Sequence, residues 1–219
     1  QLYGDPLFDA ASVQYLPQSV EGMTHLVRQD SREASRKWII DMDENGMWDV
    51  GLSGSNAGEM RQQVLYDVLF SNGGVEWYCG YHSLPLGGDV RMEDFRTREE
   101  MWRYSRIARE FLEEHFDLER AVPGDHLVQM GPAEFGGAET FLQHHRRMAI
   151  YLSHASTAPT VDLRHHDGVY SVQWISPRTG QVAAHGPDVT QTDGTLTVLQ
   201  VVAPEPQQDW IVLLERIDG

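Results

Sequence analysis

Residues 39–52 read IIDMDENGMWDVGL, and their acids are spaced for either of two chemistries. Asp41, Asp43, Asn45 and Gly46 fall on positions one, three, five and six of an EF-hand calcium loop, whose first oxygens come from short acidic side chains and whose sixth residue turns sharply. The alternative is a buried strand, KWIIDMD, that ends in a cluster of carboxylates able to take part in catalysis. The calcium reading fails at position twelve, where a bidentate glutamate is required and Leu52 stands. Its flanks disagree as well. An EF-hand loop is entered from a helix, whereas Trp38, Ile39 and Ile40 form a short apolar run typical of a strand. The strand end is therefore preferred, and no metal is expected there.

Other reactive side chains suggest less. His144–His145 and His165–His166 are adjacent pairs, which project to opposite faces of a strand and do not converge on one metal. Cys79, the single cysteine, lies within a strand candidate without a partner base, as a buried inert thiol would. It excludes an internal disulfide and a cysteine-based zinc cage.

The elements that must hold the acidic strand end alternate in type. SVQYL (12–16) reads as a short strand, and Ser19 to Lys37 as a helix with Val20, Met23, Leu26 and Val27 on its apolar face. After KWIIDMD, Asn56 stands three residues before Glu59 as an N-cap with its reciprocal acid. It opens a helix with Met60, Val64 and Val68 on one row and Leu65 and Leu69 on the next, ended by NGG at 72–74. VEWYCGY (75–81) is the next strand. Thr97 and Glu100 form a second capping box, opening a helix striped by Met101, Tyr104, Ala108, Phe111 and Leu112. The order β-α-β-α-β-α implies parallel strands with helical crossovers.

Beyond ERAVPGD (119–125) the apolar runs are short and punctuated by turns: MAIYLS, TVDLR, VYSVQWI, LTVLQVV and DWIVLLERI. HDG (166–168) is expected to be a tight hairpin turn and SPRTG (176–180) a second turn. An all-β sandwich of about one hundred residues fits this spacing, with Trp174 and Trp210 in its core.

Composition narrows the partners. The chain of 219 residues is 41% hydrophobic, enough for one large domain or two modest ones with real cores. Lys+Arg of 17 against Asp+Glu of 33 gives a net charge of -16, and Lys37 is the only lysine, so no basic surface for nucleic acid is expected. No segment approaches the roughly 20 apolar residues that span a bilayer. The opening QLYGDPLFDA shows neither a signal peptide nor an initiator methionine, as in a processed chain or a fragment. Nothing in the sequence bears on oligomeric state.

Several segments together carry a family resemblance: DMDENG, RQQVLYDVLFSNGGVEWYCGY, MEDFRTREEMWRYSRIAREFL, VYSVQWISPRTG and the terminal DWIVLLER. From about Trp38 onward the chain resembles the C-terminal half of apiosidase-like glycoside hydrolases, which join a (β/α)8 barrel to a C-terminal β-sandwich of collagen-binding type. GGVEWYxGY and W-x-x-PRTG are the most specific parts. The resemblance implies that residues 1–118 are the C-terminal part of such a barrel, its last three or so βα units, and that residues 119–219 are the β-sandwich. The first half of the barrel has no counterpart in this sequence.

The resemblance also implies chemistry. Reacting groups of barrel enzymes sit at the C-terminal ends of strands, where DMDEN lies. Glu44 matches the carboxylate that retaining glycosidases place at the end of the seventh strand to attack the anomeric carbon; read alone, it is equally a solvated loop acid. The acid/base carboxylate would come from the fourth strand, which this chain does not contain. Asp41 and Asp43 alternate along the strand, so that one points into the barrel mouth and orients its neighbours or serves a structural hydrogen bond. Trp77 and Tyr81 resemble sugar-stacking aromatics of the eighth strand, against a simple core role, and Glu76 and His82 are further substrate-binding candidates. No cofactor is expected, the partner is a carbohydrate, and the family implies a secreted or periplasmic protein.

Two functional readings follow. One is a fragment of a retaining glycoside hydrolase acting on polysaccharide side chains. The other is a non-catalytic β-sandwich module that binds carbohydrate or a collagen-like ligand, supported by a barrel remnant. Exposed, coplanar Trp174 and Trp210 would favour the second.

Overall fold

A computed structural model describes residues 5–14, 20–34, 38–45, 56–77, 95–131, 138–144, 146–191, 194, 196–200 and 202–218, excluding the side chains of Val20, Glu21, Gly22, His25, Glu44, Asn45, Phe95 and Thr97. The chain forms two compact units, Gln1–Ser105 and Arg106–Gly219. Parallel strands joined by helices come first, and antiparallel sheets follow.

In the first unit, β1 (Ala10–Val13), β2 (Ile39–Asn45) and β3 (Gly74–Trp77) form a parallel sheet in the order β1-β2-β3. β1 starts at Ala10, ahead of the expected Ser12, because its register runs Ala10 to Ile39 and Val13 to Met42. Parallel neighbours need a crossover connection, which is usually a helix. α1 (Val20–Glu33) supplies the first; Ser19 and residues 35–37 of the span expected lie outside the described residues. Its inner face differs from the expected one. Leu26 is 51% exposed, while Thr24, Val27 and Ser31 are buried. Ser31 is tolerated inside because both of its hydrogen-bonding capacities are met: its hydroxyl donates to Arg28 O at 3.0 Å and accepts the Trp38 N–H at 3.0 Å, tying the start of β2 to α1.

The second crossover is α2 (Ala57–Met60), a π-helical stretch Arg61–Leu65 and α3 (Tyr66–Phe70). Met60, Val64, Leu65 and Val68 are fully buried, as the expected rows require, and Leu69 is half-buried. The anticipated capping box does not form. The Asn56 side chain makes no cap hydrogen bond, and Glu59 accepts from Gln63 instead. The C-terminus closes as a Schellman motif: Asn72 takes a left-handed φ of 64°, its N–H bonds to Leu69 O, and Gly73 N bonds to Val68 O. Arg28 of α1 then donates to Asn72 O at 2.7 Å, and burial lowers the pKa of its guanidinium.

α4 (Glu99–His115) starts in the first unit and ends in the second. Its stripe of Met101, Tyr104, Ala108, Phe111 and Leu112 is buried throughout. Glu100 accepts from the Tyr104 hydroxyl at 2.8 Å and from Arg103 at 3.2 Å, both within one turn of its own helix. Arg61, itself buried, sets its guanidinium 4.3 Å above the Tyr104 ring. Burial, then the bond to Glu100, raises the pKa of the Tyr104 hydroxyl.

The second unit has a six-stranded antiparallel sheet built from β4 (Val122–Pro123), β6 (Glu139–Gln143), β7 (Arg147–Leu152), β9 (Gly168–Ile175), β10 (Val182–Gln191) and β12 (Trp210–Arg216), in the order β10-β9-β12-β7-β6-β4. A smaller sheet, β11-β8-β5, comprises β5 (Val128–Met130), β8 (Pro159–Val161) and β11 (Thr197–Val198). Residues from both sheets share one core, with Val128, Val161 and Leu199 packed into the cluster that holds Ile150, Trp174 and Val212. HDG is not a hairpin turn, because β8 and β9 lie in different sheets and residues 162–167 cross between them. SPRTG is a hairpin turn between β9 and β10: Gly180 N bonds to Ser176 O at 2.7 Å, and Gly180 has a φ of 74°.

That turn is anchored by charge. Arg178 donates to Asp209 O and Oδ1, each at 2.9 Å, and lies 4.9 Å above the Trp210 ring. Asp209 is fully buried and accepts the Tyr151 hydroxyl at 2.8 Å through its other oxygen. The Trp210 indole N–H donates to Glu205 O.

ERAVPGD is likewise structured. Val122 and Pro123 pair with Leu142 and Phe141, Asp125 accepts the Thr140 N–H at 2.5 Å, and Arg147 donates to His115 O while pairing with Glu215. Limited proteolysis is therefore expected to spare His115–Asp125, since cleavage needs a locally opened segment. Rapid cutting there into two stable pieces would contradict it.

Candidate active site

The centre of interest is the exposed face of the parallel sheet. Side chains of a strand alternate, so Ile40 and Met42, both fully buried, face one way, and Ile39, Asp41 and Asp43 face the other. Asp41 and Asp43 thus share a face, contrary to the expectation that only one of them points into the barrel mouth, with Ile39 66% exposed beside them. Register adds Ser12 from β1, which pairs with Asp41, and Gly74 from β3, which pairs with Asp41 on the other side. Glu76, two residues beyond Gly74, is exposed on the same face. The Ser12 hydroxyl donates to Asp43 Oδ2 at 3.0 Å.

The ladder is irregular at the acids. Met42 pairs with Val75 and Asn45 with Trp77, so that Asp43 and Glu44 together lie opposite Glu76 alone. Such a bulge changes the direction of a strand's side chains and is common beside active sites. Glu44 belongs to β2 by its backbone, but its side chain lies outside the described residues. Tyr81, His82 and Cys79 lie outside them too, as does the remainder of the calcium-loop candidate from Gly46. Asp41 and Asp43 are found in a parallel strand, not in a loop between helices.

Trp77 is described and half-buried. Its indole N–H donates to Ser105 Oγ on α4 at 3.0 Å, which fixes the end of β3 to that helix. Nothing about Ser12 marked it beforehand as a site residue: it was one polar position in a short strand, and only the register of β1 on β2 brings it to Asp43.

Among the described residues no group of three or more His, Cys, Asp or Glu side chains could hold a metal ion. The two histidine pairs do contribute one ring each to a contact, since His144 and His166 stack at 5.9 Å with their planes 13° apart. Trp174 and Trp210 are buried and form no exposed platform. A cleft of about 240 Å³ opens beside β10 and β11, lined by Gly186, Asp188, Thr190, Thr197, Val198 and Gln200 among others, with no aromatic side chain for a sugar to stack on. No described helix is long and apolar enough to cross a membrane.

No protein-family model matches the chain, and no curated protein sequence matches it. Solved structures do. One described as a glycoside hydrolase aligns with a TM-score of 0.63 at 9% identity, covering 90% of this chain and 46% of that one. A glycoside hydrolase family 5 protein from Bacteroides vulgatus aligns with a TM-score of 0.64 at 13% identity, covering 90% of this chain and 45% of its own. The chain spans less than half the length of these structures, and identities this low carry the fold alone. The chain therefore shares its fold, parallel βα units followed by antiparallel sheets, with part of known glycoside hydrolase structures.

Proposed function

We propose that this chain is part of a retaining glycoside hydrolase of apiosidase-like type, with residues 1–118 the last βα units of a (β/α)8 barrel and 119–219 its C-terminal β-sandwich. The observation that carries the reading is the acidic end of β2, where Asp43 and Glu44 form a bulge at the C-terminal end of a parallel strand, the end at which barrel enzymes place their reacting groups. The likeness of fold to glycoside hydrolase structures agrees with it. Glu44 is the proposed nucleophile. Its carboxylate attacks the anomeric carbon as the glycosidic oxygen leaves with a proton from a second carboxylic acid. Water then releases the sugar from the glycosyl-enzyme, with that second group acting as base. These steps need two carboxylates and no cofactor.

Asp43 and Glu76 are the proposed polar contacts to the sugar. Trp77, Tyr81 and His82 are the proposed contacts from the end of the neighbouring strand, with Trp77 meeting the sugar through its ring while Ser105 engages its N–H. The substrate is a polysaccharide side chain outside the cytoplasm. The binding-module reading draws no support from Trp174 and Trp210, which are core residues.

The test is to compare the 219-residue chain with the complete protein on an aryl glycoside. The chain alone is expected to show no turnover, because the acid/base carboxylate belongs to the other half of the barrel. The complete protein is expected to hydrolyse the substrate with retention. Hydrolysis by the chain alone, abolished by Glu44→Gln, would overturn the half-barrel reading, and an inactive complete protein would count against a glycosidase.

A further inference from the structure

β2 lies between β1 and β3, and each neighbour contributes one feature that acts on its acidic face. From β3, Gly74 stands beside Asp41, and a Cβ at position 74 would lie 2.9 Å from Asp41 Oδ1, so the absent side chain leaves room for that carboxylate. From β1, Ser12 Oγ reaches Asp43 Oδ2 at 3.0 Å across a register in which Ser12 itself pairs with Asp41. The bond therefore runs diagonally, toward the C-terminal end of β2, to the residue just before Glu44.

We propose that Ser12 is a positioning residue for the site: its hydroxyl holds Asp43 in one rotamer, so that the carboxylate beside Glu44 keeps a fixed place. This rests on the reading of Glu44 as the nucleophile. The Asp43 side chain has two torsions through which it could swing away from Ser12. A hydroxyl donor prevents that without bringing a positive charge. An arginine or lysine in the place of Ser12 would neutralise Asp43 and draw off negative potential that stabilises a developing oxocarbenium ion. A neutral hydrogen bond fixes the geometry and leaves the charge at the site. The gain is in orientation, and misplacement of a group by about 1 Å can cost up to about 100-fold in rate.

The experiment uses the complete protein on an aryl glycoside. Ser12→Ala is expected to lower kcat about 5- to 30-fold with KM within about twofold, because the lost effect belongs to the transition state. Ser12→Thr, which keeps a hydroxyl, restores most of the rate. Since Ser12 acts through Asp43, adding Ser12→Ala to Asp43→Ala changes nothing further, whereas independent roles would multiply. Ser12 is exposed, so its thermal midpoint should stay near that of the parent and separate this role from a structural one. Parental kcat in Ser12→Ala, or multiplicative losses in the double variant, beside an inactive Glu44→Gln, would overturn this inference alone. Near-normal turnover in Glu44→Gln would remove the nucleophile reading and this inference with it.

Discussion

Glu44→Gln in the complete protein is expected to lower turnover of an aryl glycoside on the order of a thousandfold or more, with KM changed far less. Glutamine keeps the size and most of the hydrogen-bonding shape of glutamate but lacks the charge that attacks the anomeric carbon. That charge matters most as the oxocarbenium ion develops, so its loss falls on the transition state and spares substrate binding. Retention places the two carboxyl groups about 5–5.5 Å apart, against about 6.5–9.5 Å in an inverting enzyme, where a water must fit between. The separation of Glu44 from the acid/base residue is thus a second, independent measurement. Azide added to Glu44→Gly can take the place of the missing nucleophile and should restore turnover as a glycosyl azide forms. Asp43→Asn is expected to be milder, because an amide oxygen can still accept from Ser12. Near-normal turnover in Glu44→Gln would refute the assignment and move it to Asp41, Asp43 or Glu76.

What could be read from the residues follows the range of the interaction involved. Apolar periodicity is local, and it located β2, α4 and the rows of Met60, Val64 and Val68, because burial of those side chains is what fixes the elements. It failed where polar residues do core work. Leu26 points outward while Thr24 and Ser31 are buried, and Ser31 earns its place by hydrogen bonds that no hydropathy pattern records. β10 was missed altogether. It is an edge strand interrupted by Gly186 and Pro187, with shifts of register at both Val182/Ala184 and Gly186/Val189, and such features blunt an edge against further pairing while making it resemble a loop.

The same distinction applies to the site. DMDEN was legible as an acidic strand end because its residue types are adjacent in the chain. The expectation that only one of Asp41 and Asp43 points into the barrel mouth is corrected, since residues two apart on a strand share a face; their neighbours are not legible at all, because Ser12 is 31 residues from Asp43 in sequence and meets it only through parallel register. Gly74, which opened as part of a helix-ending NGG, serves β3 by leaving room for Asp41. The histidines are adjacent in sequence within each pair, whereas the contact that forms joins His144 of one pair to His166 of the other. W-x-x-PRTG and DW are recognisable as segments, and the reason they belong together, an arginine that pairs with Asp209 and lies over the Trp210 ring, is tertiary.

Asp209→Ala is expected to destabilise the second unit by about 3–5 kcal/mol, the cost of breaking a buried pair from one side. Asp209 is fully buried, and its Oδ1 accepts from Arg178 and its Oδ2 from the Tyr151 hydroxyl. Alanine leaves both donors without that acceptor and opens a void at the start of β12. Arg178 is better placed to recover, since its side chain is 19% exposed and Glu205 lies 3.1 Å from it. The smaller loss is therefore expected for Arg178→Met, which removes the charge but keeps a stem over the Trp210 ring. Asp209→Asn should fall between them, because the amide offers one acceptor where the carboxylate offers two. Urea unfolding of the complete protein, followed through the buried Trp174 and Trp210, measures each as a shift of midpoint at constant slope. A loss below about 1 kcal/mol in Asp209→Ala would place the pair with ordinary surface ion pairs, and the stability of the SPRTG turn would then have to come from the packing of Trp210.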